Sequence, residues 1–136
     1  MKRTAKQKMC EMSIKYKDNE AVKDSPNKYE TVTVSAANVI KSWKASLFSY
    51  EWLLPDGRIK DLKELPQSEQ AKREEIETLL KRNSPLERPI LGIGLLENIE
   101  IGANKEVFLT LCAHNVPHIE VHIPKNHKED FTDFIA

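Results

Sequence analysis

The sequence predicts an α+β domain, a small mixed β-sheet with packed helices, and three observations carry that expectation. Residues 29–34, YETVTV, and 118–123, HIEVHI, alternate at the period of a strand. Residues 36–54 carry Val39, Ile40, Trp43, Leu47, Tyr50 and Leu54 at three- and four-residue spacing, the apolar stripe of an amphipathic helix. Residues 98–125, NIEIGANKEVFLTLCAHNVPHIEVHIPK, read as a short strand, a glycine turn, a helix and a second strand. A chain of 136 residues suits one domain with a core of its own.

In chain order, residues 1–28 lack sustained periodicity and close on the turn residues KDSPNK, so a flexible basic tail is expected before a single domain at 29–136. Strand 29–34 follows. Ser35 is placed to cap the long helix, its hydroxyl accepting a first-turn N–H. Trp43 and Phe48 are expected to serve the core rather than stack on bases. Pro55-Asp56-Gly57 ends the helix with turn chemistry, and residues 57–66, GRIKDLKELP, fit a short strand or one helical turn. Ser68 is expected to cap a charged helix to about Arg82, with Ile76, Leu79 and Leu80 as a narrow apolar face and Asn83-Ser84-Pro85 as its stop.

Residues 90–96 read as a buried strand, then a tight turn and a short strand through Ile101. Gly92 and Gly94 lack the strand-to-helix turn and third glycine of a dinucleotide fingerprint, so close packing over the sheet is their expected use. The next helix, from Asn104 to about His114, turns Val107, Phe108, Leu111 and Cys112 inward. On the last strand Ile119, Val121 and Ile123 share one face and His118, Glu120 and His122 the other. Phe131 and Phe134 are expected to dock a short terminal helix.

Composition narrows the function classes. Apolar residues are 40% and charged residues 31%, an ordinary globular balance, and no apolar run approaches the ~20 residues of a membrane span. The start is basic without the apolar region of a secretory signal, so a cytoplasmic protein is expected. Cys10 and Cys112 are too few and too far apart for a disulfide framework or a zinc cluster, and Cys112 reads as a small buried hydrophobe. Net charge is zero but uneven. Residues 1–17 hold six Lys/Arg against one Glu, whereas residues 89–136 hold three Lys against seven Asp/Glu. The tail is read first as a solvated terminus, and contact with nucleic acid, if the protein makes any, is assigned to it, through Lys2, Arg3, Lys6 and Lys8.

Two places invite chemistry. A strand that ends in Gly102 and leads into a helix aims unpaired N–H groups at an anion, and Lys105 adds positive charge, while Glu106 opposes it. All four histidines fall between 114 and 127. His118 and His122 lie about 13 Å apart along a strand, too far to share a metal, but Glu120 and His122 are about 7 Å apart at the backbone and suit one. No nucleophile is evident. Ser35, Ser42, Ser46 and Ser49 lack a glycine-flanked elbow, and Cys112 and His114 fall on different helix faces. No catalytic residue is assigned.

Residues 74–124, EEIETLLKRNSPLERPILGIGLLENIEIGANKEVFLTLCAHNVPHIEVHIP, resemble the core of the ParB/sulfiredoxin-like superfamily. There a helix leads into a "PI-V" strand, a hairpin brings a second strand to a "G-x-x-R" turn, and a helix and a "VPVHV" strand close the unit. The resemblance implies a phosphate-gripping turn at Gly102, with Asn104 and Lys105 where the family has its polar residue and arginine. Lys105 neutralises charge but cannot make the bidentate fork. Ala103 stands where sulfiredoxins carry cysteine, which removes that redox chemistry. The family includes small members that inhibit transfer machinery. The expectation is therefore a non-catalytic accessory or regulatory protein, plasmid- or phage-associated, with no cofactor and another protein as partner. One alternative is a nucleotide-binding nuclease or phosphoryl-transfer enzyme, with Gly102, Asn104 and Lys105 at the phosphates and a divalent metal near Glu120 or His122. The other is a nucleic-acid binder working through the tail. Oligomeric state stays open.

Overall fold

A computed structural model describes residues 14–47 and 49–136. The tail residues Lys2, Arg3, Lys6 and Lys8, together with Cys10 and Phe48, lie outside the described residues. The protein is an α+β fold, as its sequence predicts. No helix among the described residues is long and apolar enough to cross a membrane.

The central ladder pairs β2 (Tyr29–Ser35) with β6 (His118–Pro124), antiparallel over seven residues from Tyr29 opposite Pro124 to Ser35 opposite His118. Val34, Ile119, Val121 and Ile123 are fully buried, the expected core face. The C-terminal residues cover the free edge of β2: Ala136 N–H donates to Thr33 O and Ser35 N–H to Phe134 O. Closing an edge in this way removes a template for unwanted pairing. Phe131, at the end of the 3₁₀ stretch Lys125–Phe131, is fully buried beneath it.

On the other side of β6, Ile90 bridges to His122, and His122 N–H donates to Pro89 O. This joins the hairpin of β4 (Leu91–Ile93) and β5 (Ile99–Ile101) to the sheet. The predicted buried strand 90–96 is shorter than expected. Gly94-Leu95-Leu96-Glu97 form the turn, and both leucines face solvent, because Gly94 N–H is already closed onto Asn98 O.

Two further expectations differ. The predicted helix 36–54 stops at Trp43 (α2, Ala36–Trp43, with α1 given below). Ser46 N–H closes a tight turn on Trp43 O, and the Ser49 hydroxyl bonds to the carbonyls of Lys44 and Ser46. Serine competes with the helix for backbone partners in this way. Leu47 and Tyr50, taken as stripe residues, are exposed, while Trp52, off the stripe, is fully buried. The second difference lies in residues 14–28. They carry β1 (Tyr16–Lys17), parallel to β3 (Leu86–Glu87), and α1 (Glu20–Asp24), capped by Asn19 with Val22 buried.

The remaining helices match their signals closely. α3 (Gln67–Lys81) starts after Pro66, with Ser68 inside it rather than capping it. It ends as its stop signal requires: Asn83 adopts φ 54°, and N–H groups of Asn83 and Ser84 return to Leu80 O and Leu79 O. α4 (Lys105–Ala113) ends the same way on Asn115, φ 60°, with Val116 N–H donating to Leu111 O. Asparagine tolerates this left-handed position where glycine is commoner. Residues Val107 to Leu111 are all buried, so α4 is the central helix, with Trp43, Trp52 and Leu91 also in the core it belongs to.

Candidate functional site

The predicted glycine turn has its polar groups engaged within the fold. Gly102 N–H donates to Ile90 O (2.9 Å). Asn104, left-handed at φ 60° as the N-cap of α4, donates its amide to Glu87 Oε1 (2.9 Å). The Lys105 ammonium lies 3.3 Å from Glu69 Oε1. Only Gly102 and Ala103 of this turn are exposed.

The predicted metal pair is likewise committed to protein partners. Glu120 Oε1 accepts from Arg88 Nε (3.1 Å), and Arg88 Nη1 reaches Asp18 Oδ1 (2.6 Å). His122 is fully buried, because the Asn19 segment covers it. Asn19 backbone N–H donates to its Nε2 (3.3 Å), so the ring is the Nδ1–H tautomer and donates from Nδ1 to Thr31 Oγ1 (3.0 Å). Burial, and then the Arg88 charge, push the His122 pKa down, against weaker upward pulls from Asp18 and Glu87. The imidazole is thus neutral near pH 7. Among the described residues no group of three or more His, Cys, Asp or Glu is arranged to hold a metal ion. His114 instead bonds to Glu77, and His127 to Asp130.

A different place gathers chemistry. A cleft of about 800 Å³ opens between one side of α2 and residues 56–61, floored by the turn that joins α4 to β6. One wall is Ala36, Ile40 and Lys41 of α2 with Lys44, the residue that ends it. Ser35 sets that wall's angle: its hydroxyl caps the helix through Asn38 N–H, and Ala36 N–H donates to Pro117 O on the floor. Lys41 and Lys44, three residues apart, are neighbours on the helix surface.

The facing wall is a small hairpin that the sequence left undecided between strand and turn. Leu53 bridges Ile59, Leu54 N–H donates to Arg58 O, and Lys60 N–H donates to Trp52 O. Gly57 makes the bend at φ 91°, where a side chain is strained. The hairpin buries Trp52 and Leu53 and leaves Arg58, Ile59 and Lys60 on the cleft. Arg73 of α3 also lines it, donating from Nη1 to Lys60 O (3.0 Å).

The lining carries five Lys and Arg side chains, Lys41, Lys44, Arg58, Lys60 and Arg73, together with His118, against Asp56 and Asp61. Arg58 is held by Asp56 (2.6 Å) and Arg73 by Glu77 (3.4 Å), and hydrogen bonds from Arg58 lower the Asp56 pKa. Lys41, Lys44 and Lys60 have no ion-pair partner among the described residues. The lining also carries apolar Ile40, Ile59, Val116 and Cys112, beside polar Asn115 and His118. Burial pushes the Cys112 thiol up to about 12, which keeps it an inert part of that lining.

Glu69, absent from the predicted sites, fixes the hairpin wall. It is buried at 5% exposure, accepts Trp52 Nε1–H at Oε1 (2.9 Å), and pairs with Lys105 there and with Lys72 at Oε2 (3.2 Å). Burial alone would raise this carboxyl, but the Trp52 bond and the two ammonium groups outweigh it and hold the pKa below the ordinary range. The expected phosphate lysine is therefore one anchor of a different site. None of Gly102, Asn104, Lys105, Glu120 or His122 lines the cleft. A three-residue lysine spacing on α2 and the basic alternation in GRIKDLK were the sequence signals for it. Comparison with known protein families, curated proteins and solved structures finds no match.

Proposed function

We propose that the protein is a non-catalytic accessory binding protein that takes an anionic macromolecular partner in the cleft between α2 and the hairpin 52–60. The observation that carries this reading is the set of three lysines, Lys41, Lys44 and Lys60, unpaired among the described residues around a lining that also holds apolar Ile40, Ile59 and Val116. Like charges held together around a concavity repel one another and concentrate counter-charge from solution. An anionic partner relieves that repulsion while its apolar parts cover Ile40, Ile59 and Val116. The Gly102 turn supports an anion less well, since the Lys105 ammonium already serves Glu69. The plasmid or phage setting and the cytoplasmic location come from the resemblance of residues 74–124 and from composition, and are proposed on those grounds alone.

The test is anisotropy binding of fluorescent poly-glutamate and of a single-stranded oligonucleotide to the full chain, across a salt series. At least one probe is expected to bind at low ionic strength, to weaken as salt rises, and to lose at least tenfold in affinity on Lys41→Glu/Lys60→Glu. Failure of both probes to bind, or binding indifferent to the double substitution, overturns the reading.

A further inference from the structure

The cleft wall formed by residues 56–61 is unusual in that six consecutive residues line it. Residues 56–58 belong to the bend; beyond it Ile59, Lys60 and Asp61 all line the cleft without the alternation of a strand's two faces, so the chain presents its edge there. The hydrogen bonds agree. Arg58 O and Lys60 N–H are used within the hairpin, and Lys60 O receives Arg73. Ile59 sits opposite Leu53 in the bridge between those bonds, so its own N–H and C=O point away from the partner strand. Neither has a hydrogen-bond partner among the described residues. Half-buried Ile59 thus offers one donor and one acceptor beside unpaired Lys60.

Resting on the reading above, we infer that the cleft's partner is an extended acidic segment of another protein, docked along the edge at Ile59. Its carboxylates meet Lys41, Lys44 and Lys60, and its intervening apolar side chains meet Ile40 and Val116. Strand addition of this kind draws affinity from main-chain bonds and specificity from alternate side chains. Charge order on the wall favours such a segment over nucleic acid. Asp56 and Asp61 bracket Arg58 and Lys60, so an unbroken row of phosphates would meet repulsion at both ends, whereas carboxylates spaced by apolar residues avoid it. Among the described residues no Phe, Tyr or Trp lines the cleft to stack a base, and His118 brings the one ring found there.

The deciding experiment is selection of phage-displayed random 12-residue peptides on the full chain, with enriched peptides then synthesised and measured by anisotropy. Enrichment is expected for segments that interleave Asp or Glu with Leu, Ile or Val. Affinity should fall at least tenfold on Lys41→Glu/Lys60→Glu, and at least tenfold when alternate peptide amides are N-methylated, which an edge-on mode requires. Lys41→Gln/Lys60→Gln, which neutralises without reversing charge, should give an intermediate loss. Enriched peptides without acids, or binding that survives the charge reversal or both N-methylation registers, overturn the inference. An oligonucleotide that binds more tightly than every peptide, through the same lysines, also overturns it while leaving the anion-binding cleft intact. Failure of poly-glutamate, oligonucleotide and peptides alike removes both readings.

Discussion

Glu69→Ala tests how the hairpin wall is held. The substitution deletes the acceptor of a buried indole N–H and the counter-charge of Lys105, whose side chain is only 22% exposed. An orphaned buried donor costs about 1–3 kcal/mol, and breaking a largely buried ion pair about 3–5 kcal/mol. Because Lys105 can turn part-way to solvent and Lys72 is half exposed, the ion-pair share falls to about 1–2 kcal/mol, and a total near 3 kcal/mol is expected. In a chain of this length that lowers Tm by roughly 10 °C. Glu69→Gln keeps an acceptor for Trp52 but loses both ion pairs, and should cost about half as much. Urea denaturation of both variants beside the natural chain measures the two terms separately. Ionisation gives a second handle. The folded Glu69 pKa is below its ordinary value, so its stabilisation is full above about pH 4.5 and is lost as pH falls through the folded value. Glu69→Gln should flatten that acid limb. A loss below about 1 kcal/mol for Glu69→Ala, or equal losses for Ala and Gln, would refute the anchor.

Three further outcomes are expected. His122, buried and neutral, has a folded pKa below 6.5; its contribution is full above pH 6.5 and declines below it as the unfolded chain takes up a proton first. Urea midpoints at pH 7.5 and 5.5 should differ more for the natural chain than for His122→Gln, by at most about 1.4 kcal/mol per pH unit, and identical differences would count against the neutral ring. Ser42→Ala removes the acceptor of the buried Ile99 N–H (2.8 Å), with an expected cost of about 1–2 kcal/mol and faster amide exchange at Ile99; unchanged exchange would contradict it. Gly57→Ala meets no atom within 4 Å, so its expected cost of about 1–2 kcal/mol is backbone strain at φ 91° alone, read from the same denaturation curves, and a neutral result would show that the turn relaxes.

Local signals told most where they were repeated. The β2 and β6 strands, the Ser35 cap, the Asn83 stop and the inward side of α4 were all legible because each rests on residues adjacent in sequence. The stripe from Val39 to Leu54 misled because its period says nothing about whether a core is present. Leu47 and Tyr50 keep the spacing and meet solvent, while Ser46 and Ser49 take the carbonyls that helix continuation would have used. Residues 14–28 showed no period because short segments pinned by Asn19, Asp18 and Arg88 across the fold need none.

The sequence by itself determined the α+β class, the buried face of β6, the stops of α3 and α4 and the net balance of charge. These follow from φ/ψ preference, side-chain period and capping, which act over a few residues. The tertiary structure alone decided which charges are spent. Lys105 and Lys41 look alike in the sequence, yet Lys105 lies against a buried Glu69 thirty-six positions away and Lys41 faces an open cleft. Pairing depends on distance in space and on the local exclusion of water, and neither is written in the order of residues.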